Sequence, residues 1–521
     1  MNQKTSLDPQ GISNKMLKHV GPAMVTAILN LFNKCLNNSQ VPKAWNHSLV
    51  NMLHKKGQDE TLINSYRPIS ITSCMARLFE RLILQRLMVH LKTNNIIIKN
   101  QSGFRKARQT KDNILYIIQN AQEAFNMNEK SATIFFDVAA AFDKVWHKGL
   151  IYKLFELKVP FYLIAIISAF LKDRTFQVKV EGCFSSTYII KCGVPQGGVL
   201  SPTLFSIYIN DIPIITTDKE ICLLFADDLV YQLRYKYKEK NKLIENAKLE
   251  AEKRVQEYLN KLEQWTNDWR LTLAPHKCGQ ITFTKAKNQE TDDLLNVRLY
   301  NVNIPIEKFP KFLGILFDRR LSFREHCLNV DNKIFDRMNI LKILSFDKNW
   351  RLDEKTLIRM YKSIVRSVID YACVTSQAFN CDSKKDYEII QNDALRIIFR
   401  KPIMDKVSID DLRKKAGVTS IEKRHAELME RFYGRAIVSN NPLIMMMFEK
   451  YERFKKRSYF DQNVAVNENG EVDLCMLDFV RNHNREISVK RETHPTTLCG
   501  ASNIIKEFIF DDFAVGSGGI G

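Results

Sequence analysis

Leu223-Leu224-Phe225-Ala226-Asp227-Asp228-Leu229-Val230-Tyr231 sets two adjacent acids inside an otherwise apolar, β-prone run. Burying two carboxylates among such neighbours is costly unless something compensates them. The apolar flanks predict strand, turn, strand, and a turn carrying two carboxylates between buried strands is a natural seat for a divalent cation. An Asp-rich hairpin turn without any ligand has the same local pattern, so this stretch alone leaves both readings open.

Upstream, Thr133-Ile134-Phe135-Phe136-Asp137-Val138 reads as a second buried strand, ending in an acid that has no local structural role. Asp143 has one: its place predicts the N-cap of a helix through Trp146, Leu150, Ile151 and Leu154. Between the acidic strands lies Gly193-Val194-Pro195-Gln196-Gly197-Gly198-Val199-Leu200-Ser201-Pro202, a loop emptying into a helix with Ser201 as cap and Pro202 at its first position. Its glycines let the backbone approach a ligand closely, and Gln196 is the polar side chain placed to read it. If the strands ending in Asp137 and in Asp227-Asp228 are neighbours in one sheet, three carboxylates meet, as two-metal nucleotidyl transfer requires.

The chain has 521 residues, enough for two or three subdomains, and 78 Lys+Arg against 58 Asp+Glu give a net charge of +20. That excess is spread along the chain, which favours a channel for a polyanion over a basic tail. The 11 cysteines form no CxxC pair and no legible zinc site or disulfide framework. The start lacks a signal-peptide core, and Val159–Leu171, the longest largely apolar run, is too short for a bilayer; the expectation is an intracellular protein with no membrane partner.

Several stretches read as nucleic-acid contacts. Lys55 and Lys56 sit beside a glycine turn, with a solvated hairpin tip as the equal alternative. Arg67, held extended before Pro68, can clamp phosphate or base. The helix expected over 76–91 mixes Leu78, Phe79, Leu82, Ile83 and Leu87 with arginines, and Gln101-Ser102-Gly103-Phe104-Arg105-Lys106-Ala107-Arg108 reads as a basic loop touching a backbone. A helix opens the chain from Leu17 through Leu31, a long amphipathic one is expected over 245–273, a strand at 280–284, a hairpin from 297–306 and 309–317, and helices from 322 to about 440.

Together, Phe225-Ala226-Asp227-Asp228, Phe136-Asp137-Val138-Ala139-Ala140-Ala141-Phe142-Asp143 and Gly193-Val194-Pro195-Gln196-Gly197 resemble a reverse transcriptase. Tyr66-Arg67-Pro68-Ile69-Ser70, Leu171-Lys172-Asp173-Arg174-Thr175-Phe176, Ser201-Pro202-Thr203-Leu204-Phe205 and Tyr208-Ile209-Asn210-Asp211-Ile212-Pro213 narrow the resemblance to non-LTR retrotransposons of the jockey type. It covers roughly residues 7–400.

The resemblance implies an α/β (α+β) right-hand polymerase: fingers with an N-terminal extension at 1–130, a palm of antiparallel sheet backed by helices at 131–320, a helical thumb and connection at 321–440, and a partly disordered 441–521. The reverse transcriptase domain is expected at about 45–320. Asp137, Asp227 and Asp228, with the Val138 carbonyl, are implied to bind two Mg2+ ions, with Mn2+ as the alternative. Phe142 is implied as the steric gate against a ribose 2′-hydroxyl, and Gln196 and Gly197 as contacts of the incoming nucleotide. Lys277 is the implied proton donor to pyrophosphate, a surface lysine being the other reading. Arg67 and Arg77 are implied fingers contacts to nucleotide or template; Arg105, Arg108 and Arg174 join them on nucleic acid, and Phe312-Leu313-Gly314 resembles the primer-grip hairpin. The implied partners are RNA template, DNA primer or target, dNTPs and an RNA-binding protein of the element, in a ribonucleoprotein of nucleus and cytoplasm.

Asp8-Pro9-Gln10-Gly11-Ile12 departs from the usual Pro-Gly-Pro-Asp-Gly-Ile, and Ala140 replaces a frequently polar position. The family's N-terminal endonuclease has no counterpart here, so the alternative expectation is a truncated or domesticated, non-catalytic RNA- or DNA-binding remnant.

Overall fold

The computed structural model describes residues 7–55, 57–236, 244–285, 295–346, 352–375, 381–402 and 404–447. Lys56 and most of the expected C-terminal region lie outside the described residues.

The opening helix is two. Ser13 accepts from the Met16 amide and caps α1 (Asn14–Lys18), and Gly21-Pro22 restarts the chain as α2 (Pro22–Asn38), because proline begins a helix well and cannot continue one. β1 (His47–His54) pairs antiparallel with β2 (Tyr66–Ile71), and α3 (Cys74–Thr93) follows. Then come α4 (Thr110–Asn126), β3 (Glu129–Phe136), α5 (His147–Glu156), α6 (Phe161–Leu171), β4 (Thr175–Val180), β5 (Cys183–Phe184), β6 (Tyr188–Ile189) and α7 (Ser201–Tyr208). The hairpin β7 (Glu220–Phe225) and β8 (Asp228–Lys236), the long α8 (Ile244–Asp268) and β9 (Gly279–Phe283) complete the middle of the chain.

The expected hairpin over 297–317 resolves into two small ones: β10 (Arg298–Leu299) with β11 (Val302–Asn303), and β12 (Lys311–Phe312) with β13 (Ile315–Leu316). Helices α9 (Arg324–Phe346), α10 (Glu354–Met360), α11 (Arg366–Tyr371), α12 (Cys381–Phe399), α13 (Ile409–Ala416) and α14 (Ile421–Val438) follow. No helix among the described residues is long and apolar enough to cross a membrane.

Two sheets carry the architecture. In the upstream one β1 lies between β2 and β4, running parallel to β4, which also pairs β5 and β6. The central sheet is fully antiparallel in the order β7-β8-β3-β9. It is buried on both faces, which is why its strands read as nearly continuous apolar runs rather than alternating ones. Ala132, Ile134 and Phe136 of β3 face the core built on α3, α5, α6, α7 and α8, while Phe135 faces the second core of α4 and the C-terminal helices. Period-two alternation sends Leu229, Tyr231 and Leu233 of β8 to the first core and Val230 to the second. One sheet thus serves as the common wall of both cores, and its strand ends are fixed from either side.

Candidate active site

The β7–β8 register pairs Phe225 with Asp228, leaving Ala226 and Asp227 as a two-residue turn. Ala226 takes the left-handed conformation, φ +57°, that such a turn demands. On the other side β8 pairs β3 up to Leu229 and Phe136, and one step beyond that pair stand Asp228 and Asp137. Asp137 is fixed by the chain after α8: the Ala139 amide donates to the Thr272 carbonyl at 2.9 Å, and the Ala274 amide to the Asp137 carbonyl at 3.0 Å. Val138, between them, bridges to Leu273. Two elements remote in sequence therefore deliver three carboxylates to one end of the sheet.

Their electrostatics follow from that crowding. Burial and then the charges of Asp227 and Asp137 push the Asp228 carboxyl up to about 7, and burial with the Asp137 charge raises Asp227 as well. The Lys277 ammonium is 3.8 Å from Asp137 Oδ2, at the end of the 3-10 turn Pro275–Lys277 that leads into β9, whose first residue Gly279 pairs with Phe135. Both side chains are about half exposed, so this pair locates the lysine and adds little stability. Among the described residues no three His, Cys, Asp or Glu side chains close into a finished metal cage. The donor set nevertheless fits a hard divalent cation: it is made of oxygens only, and burial and neighbouring carboxylates hold two of the three acids toward their neutral forms.

Beside the acids, the chain turns through a 3-10 segment, Ala141–Lys144, entered by Ala140 at φ +51°. Phe142, half-buried there, stacks on Phe205 of α7 with centroids 4.7 Å apart, and Phe104 meets its edge at 6.2 Å. Asp143 does not cap the next helix, whose N-cap is Trp146 without a side-chain bond. Its carboxylate instead accepts from Gln196 Nε2 at 3.1 Å to each oxygen. The glycine loop is pinned on both sides: the Val194 amide donates to the Phe142 carbonyl at 2.8 Å, and the Ser70 amide of β2 to the Gln196 carbonyl at 2.8 Å. A Cβ at Gly197 would lie 2.6 Å from the Ser70 carbonyl oxygen, so the close approach of this loop to β2 requires glycine.

Ser201 is not the cap of α7 either; Leu200 is, and the amides of Val199 and Leu200 donate to Glu80 Oε2 of α3 at 2.7 and 3.0 Å. Glu80 is buried, and burial raises its carboxyl. The positive charges facing it are Arg174 and, less strongly, Arg77. Arg174 was expected on nucleic acid, but it is 0% exposed, bonded to the Phe170 carbonyl at 3.2 Å and stacked on that ring at 4.6 Å. A buried acid at a helix start needs an internal counter-charge, and Arg174 supplies it.

Phe312 is likewise buried, its ring 5.2 Å from Phe135 under the sheet. Only the turn Leu313-Gly314, both at positive φ, is presented, and Tyr371 of α11 donates to the Leu313 carbonyl at 2.5 Å. Arg105 donates to the carbonyls of Ile98 and Gln101, and Arg108 to that of Lys99, so these guanidinium groups fasten their own loop. Burial pulls Arg108 down to about 10. Lys55 donates to the Asn64 carbonyl at 2.8 Å, Arg67 is exposed on β2, and Arg77 lies half-buried in the first turn of α3. Sequence reading missed Glu80, although an acid on the Ala76, Ile83, Leu87 stripe is itself a signal, and it missed Gln101 and Tyr371.

The sequence profile described as "Reverse transcriptase (RNA-dependent DNA polymerase)" matches residues 53–317, just over half of the chain. The chain is 30% identical over 441 residues to the RNA-directed DNA polymerase from mobile element jockey of Drosophila melanogaster, covering 83% of this chain and 46% of that protein. It is 30% identical over 409 residues to the probable RNA-directed DNA polymerase from transposon BS of the same species, covering 76% and 43%. The chain thus spans less than half the length of these curated relatives. Among solved structures, apo telomerase from Candida tropicalis matches with a TM-score of 0.41 at 13% identity, covering 93% of this chain and 73% of that one. With a profile match over residues 53–317, which include the whole central sheet, and jockey-type enzymes as its relatives, this chain belongs to the reverse transcriptase family.

Proposed function

We propose that the chain extends a primer 3′-hydroxyl with deoxynucleotides on an RNA template, as an RNA-directed DNA polymerase of a non-LTR element. The observation that carries this reading is the meeting of Asp137, Asp227 and Asp228 at one end of the central sheet. These three, with the Val138 carbonyl, would hold two Mg2+ or Mn2+ ions, whose chemistry is to acidify the attacking hydroxyl and neutralise the leaving pyrophosphate. Lys277, 3.8 Å from Asp137 Oδ2, would hold a proton for that leaving group. Phe142, backed by Phe205, closes the space a ribose 2′-hydroxyl needs. Gln196 and Gly197 form the floor for the incoming nucleotide between β2 and Asp143, with Arg67 and Arg77 in reach of its phosphates or of the template. The Leu313-Gly314 turn touches the primer through backbone. In this division residues 1–130 are fingers, 131–320 palm and 321–440 thumb and connection, and an RNA-binding protein of the element is a further partner.

Primer extension on an RNA template with Mg2+ tests the proposal. Wild type should incorporate dNTPs and Asp227→Ala should lose at least ~1000-fold, the scale on which removing essential electrostatic stabilisation acts. Equal incorporation by the two, with RNA still bound, is the result expected of a non-catalytic remnant and overturns the polymerase reading.

A further inference from the structure

Residues 100–103 lie along the outer edge of β7 as a short parallel rung. The Leu224 amide donates to the Asn100 carbonyl at 3.0 Å, the Ser102 amide to the Leu224 carbonyl at 2.9 Å, and Asn113 of α4 adds a second donor to that carbonyl at 3.0 Å. The Gln101 side chain, 1% exposed, then takes both backbone groups of Ala226. Its Oε1 accepts from the Ala226 amide at 2.9 Å and from the Gly103 amide at 2.7 Å, while Nε2 donates to the Ala226 carbonyl at 3.2 Å. A Cβ at Gly103 would stand 2.2 Å from the Ala226 nitrogen, so only glycine admits this approach.

We propose that Gln101 is a positioning residue for the acidic turn, clamping Ala226 in the left-handed conformation from which Asp227 and Asp228 are presented beside Asp137. A carboxamide carries a donor and an acceptor side by side, the complement of one residue's N–H and C=O. A carboxylate of the same length keeps the acceptor and loses the donor; an alkyl chain keeps neither. Alanine gains nothing intrinsic from positive φ, so without the clamp the turn relaxes and the carboxylates shift relative to Asp137. Displacements of an ångström at a reacting centre cost two orders of magnitude in rate. The proposal rests on the polymerase reading only in calling the turn catalytic.

The test uses the full chain with Gln101→Leu, Gln101→Glu and Gly103→Ala, and with Leu87→Val in the core of α3 as a control for lost stability. Primer extension gives kcat and KM, electron paramagnetic resonance of free Mn2+ gives metal binding without nucleotide, and thermal unfolding gives stability. Gln101→Leu and Gly103→Ala should lower kcat and weaken Mn2+ binding by roughly 10- to 100-fold, as losses of outer-shell support do, with KM for primer–template within about twofold. Gln101→Glu should fall between them and wild type, and Leu87→Val should leave kcat and Mn2+ binding unchanged. Wild-type Mn2+ affinity in both Gln101→Leu and Gly103→Ala overturns the proposal, as does a kcat loss no larger than that of Leu87→Val at equal stability. A wild type that extends no primer, yet loses Mn2+ on Gln101→Leu, keeps the positioning role and sinks the polymerase reading. A wild type that binds Mn2+ no better than Asp227→Ala overturns both.

Discussion

Phe142 owes its position to the ring beneath it. Stacked on Phe205 and touched at its edge by Phe104, it cannot swing away to admit a larger sugar without breaking two aromatic contacts. Phe142→Ala should therefore raise ribonucleotide incorporation on the order of tenfold or more in single-nucleotide extension. Phe205→Ala, which removes the support and leaves the proposed gate ring, should raise it by less. Unchanged discrimination in Phe142→Ala would remove the gate assignment. At this scale the acids were legible because a charge inside an apolar strand has no cheap explanation, whereas the bonds that orient them were not. Gln101 sits among polar and basic residues that read as surface, and its partner Ala226 is 125 residues away. Asp143 misled for the opposite reason: it stands where a cap belongs, and its carboxylate turns instead to Gln196 across 53 residues. Local pattern reports the need for a partner and is silent about a distant one.

Among the elements, the C-terminal helices hold two buried imidazoles that make them acid-sensitive. Burial, reinforced by Lys333 and Lys311, pulls His326 down to about 4. His425 is also drawn to about 4 by burial, with Lys111 and Arg424 opposing its charge while Asp370 and the Ile369 carbonyl favour it. The unfolded chain protonates both near the ordinary value of 6.5, so it binds more protons than the folded state below that pH. The stability they confer is complete above 6.5 and is lost as pH falls toward 4. Each contributes at most about 3 kcal/mol of that loss. Urea denaturation at pH 7.5 and pH 5 should give a large difference for wild type and a smaller one for His425→Gln; equal differences would exclude the imidazole as its source. The elements themselves were largely readable, since helix and strand periodicities are strong over the long α3, α8 and β8. Boundaries set by proline and glycine were not: the break at Gly21-Pro22 and the division of 297–317 into two hairpins depend on turns whose register only the packed sheet decides.

For the molecule as a whole, the net charge of +20 is the property that would act most directly on the polyanions proposed as its partners. Part of that charge is internal: Arg174 answers Glu80, and the donors of Arg105 and Arg108 serve their own loop. If the remaining cations neutralise at least about six phosphates, affinity for an RNA–DNA primer–template should fall ~1000-fold or more between 50 and 200 mM salt, with a log–log slope of about −5 or steeper. Fluorescence anisotropy across that range measures it, and a slope near zero would deny the charge a binding role. The antiparallel central sheet followed from the family resemblance and the helical C-terminal region from periodicity; the sharing of one sheet by two cores followed from neither, because both faces of a doubly buried strand look alike in sequence.

That sheet has one more property. On the β7 side its rim is covered by 100–103 and by the bridge from Thr216 to Ile221, and on the β9 side by Pro305, Ile306 and Arg319, which pair with Gln280 and Thr284. Edge strands with open amides recruit neighbouring chains and seed aggregation. Here these rim groups are taken by the protein's own irregular backbone, one of the covering segments being the one that carries Gln101. Copies of this chain brought close together would therefore meet through side chains without splicing their central sheets at these positions, and the strand that presents the acids would stay private to its own molecule.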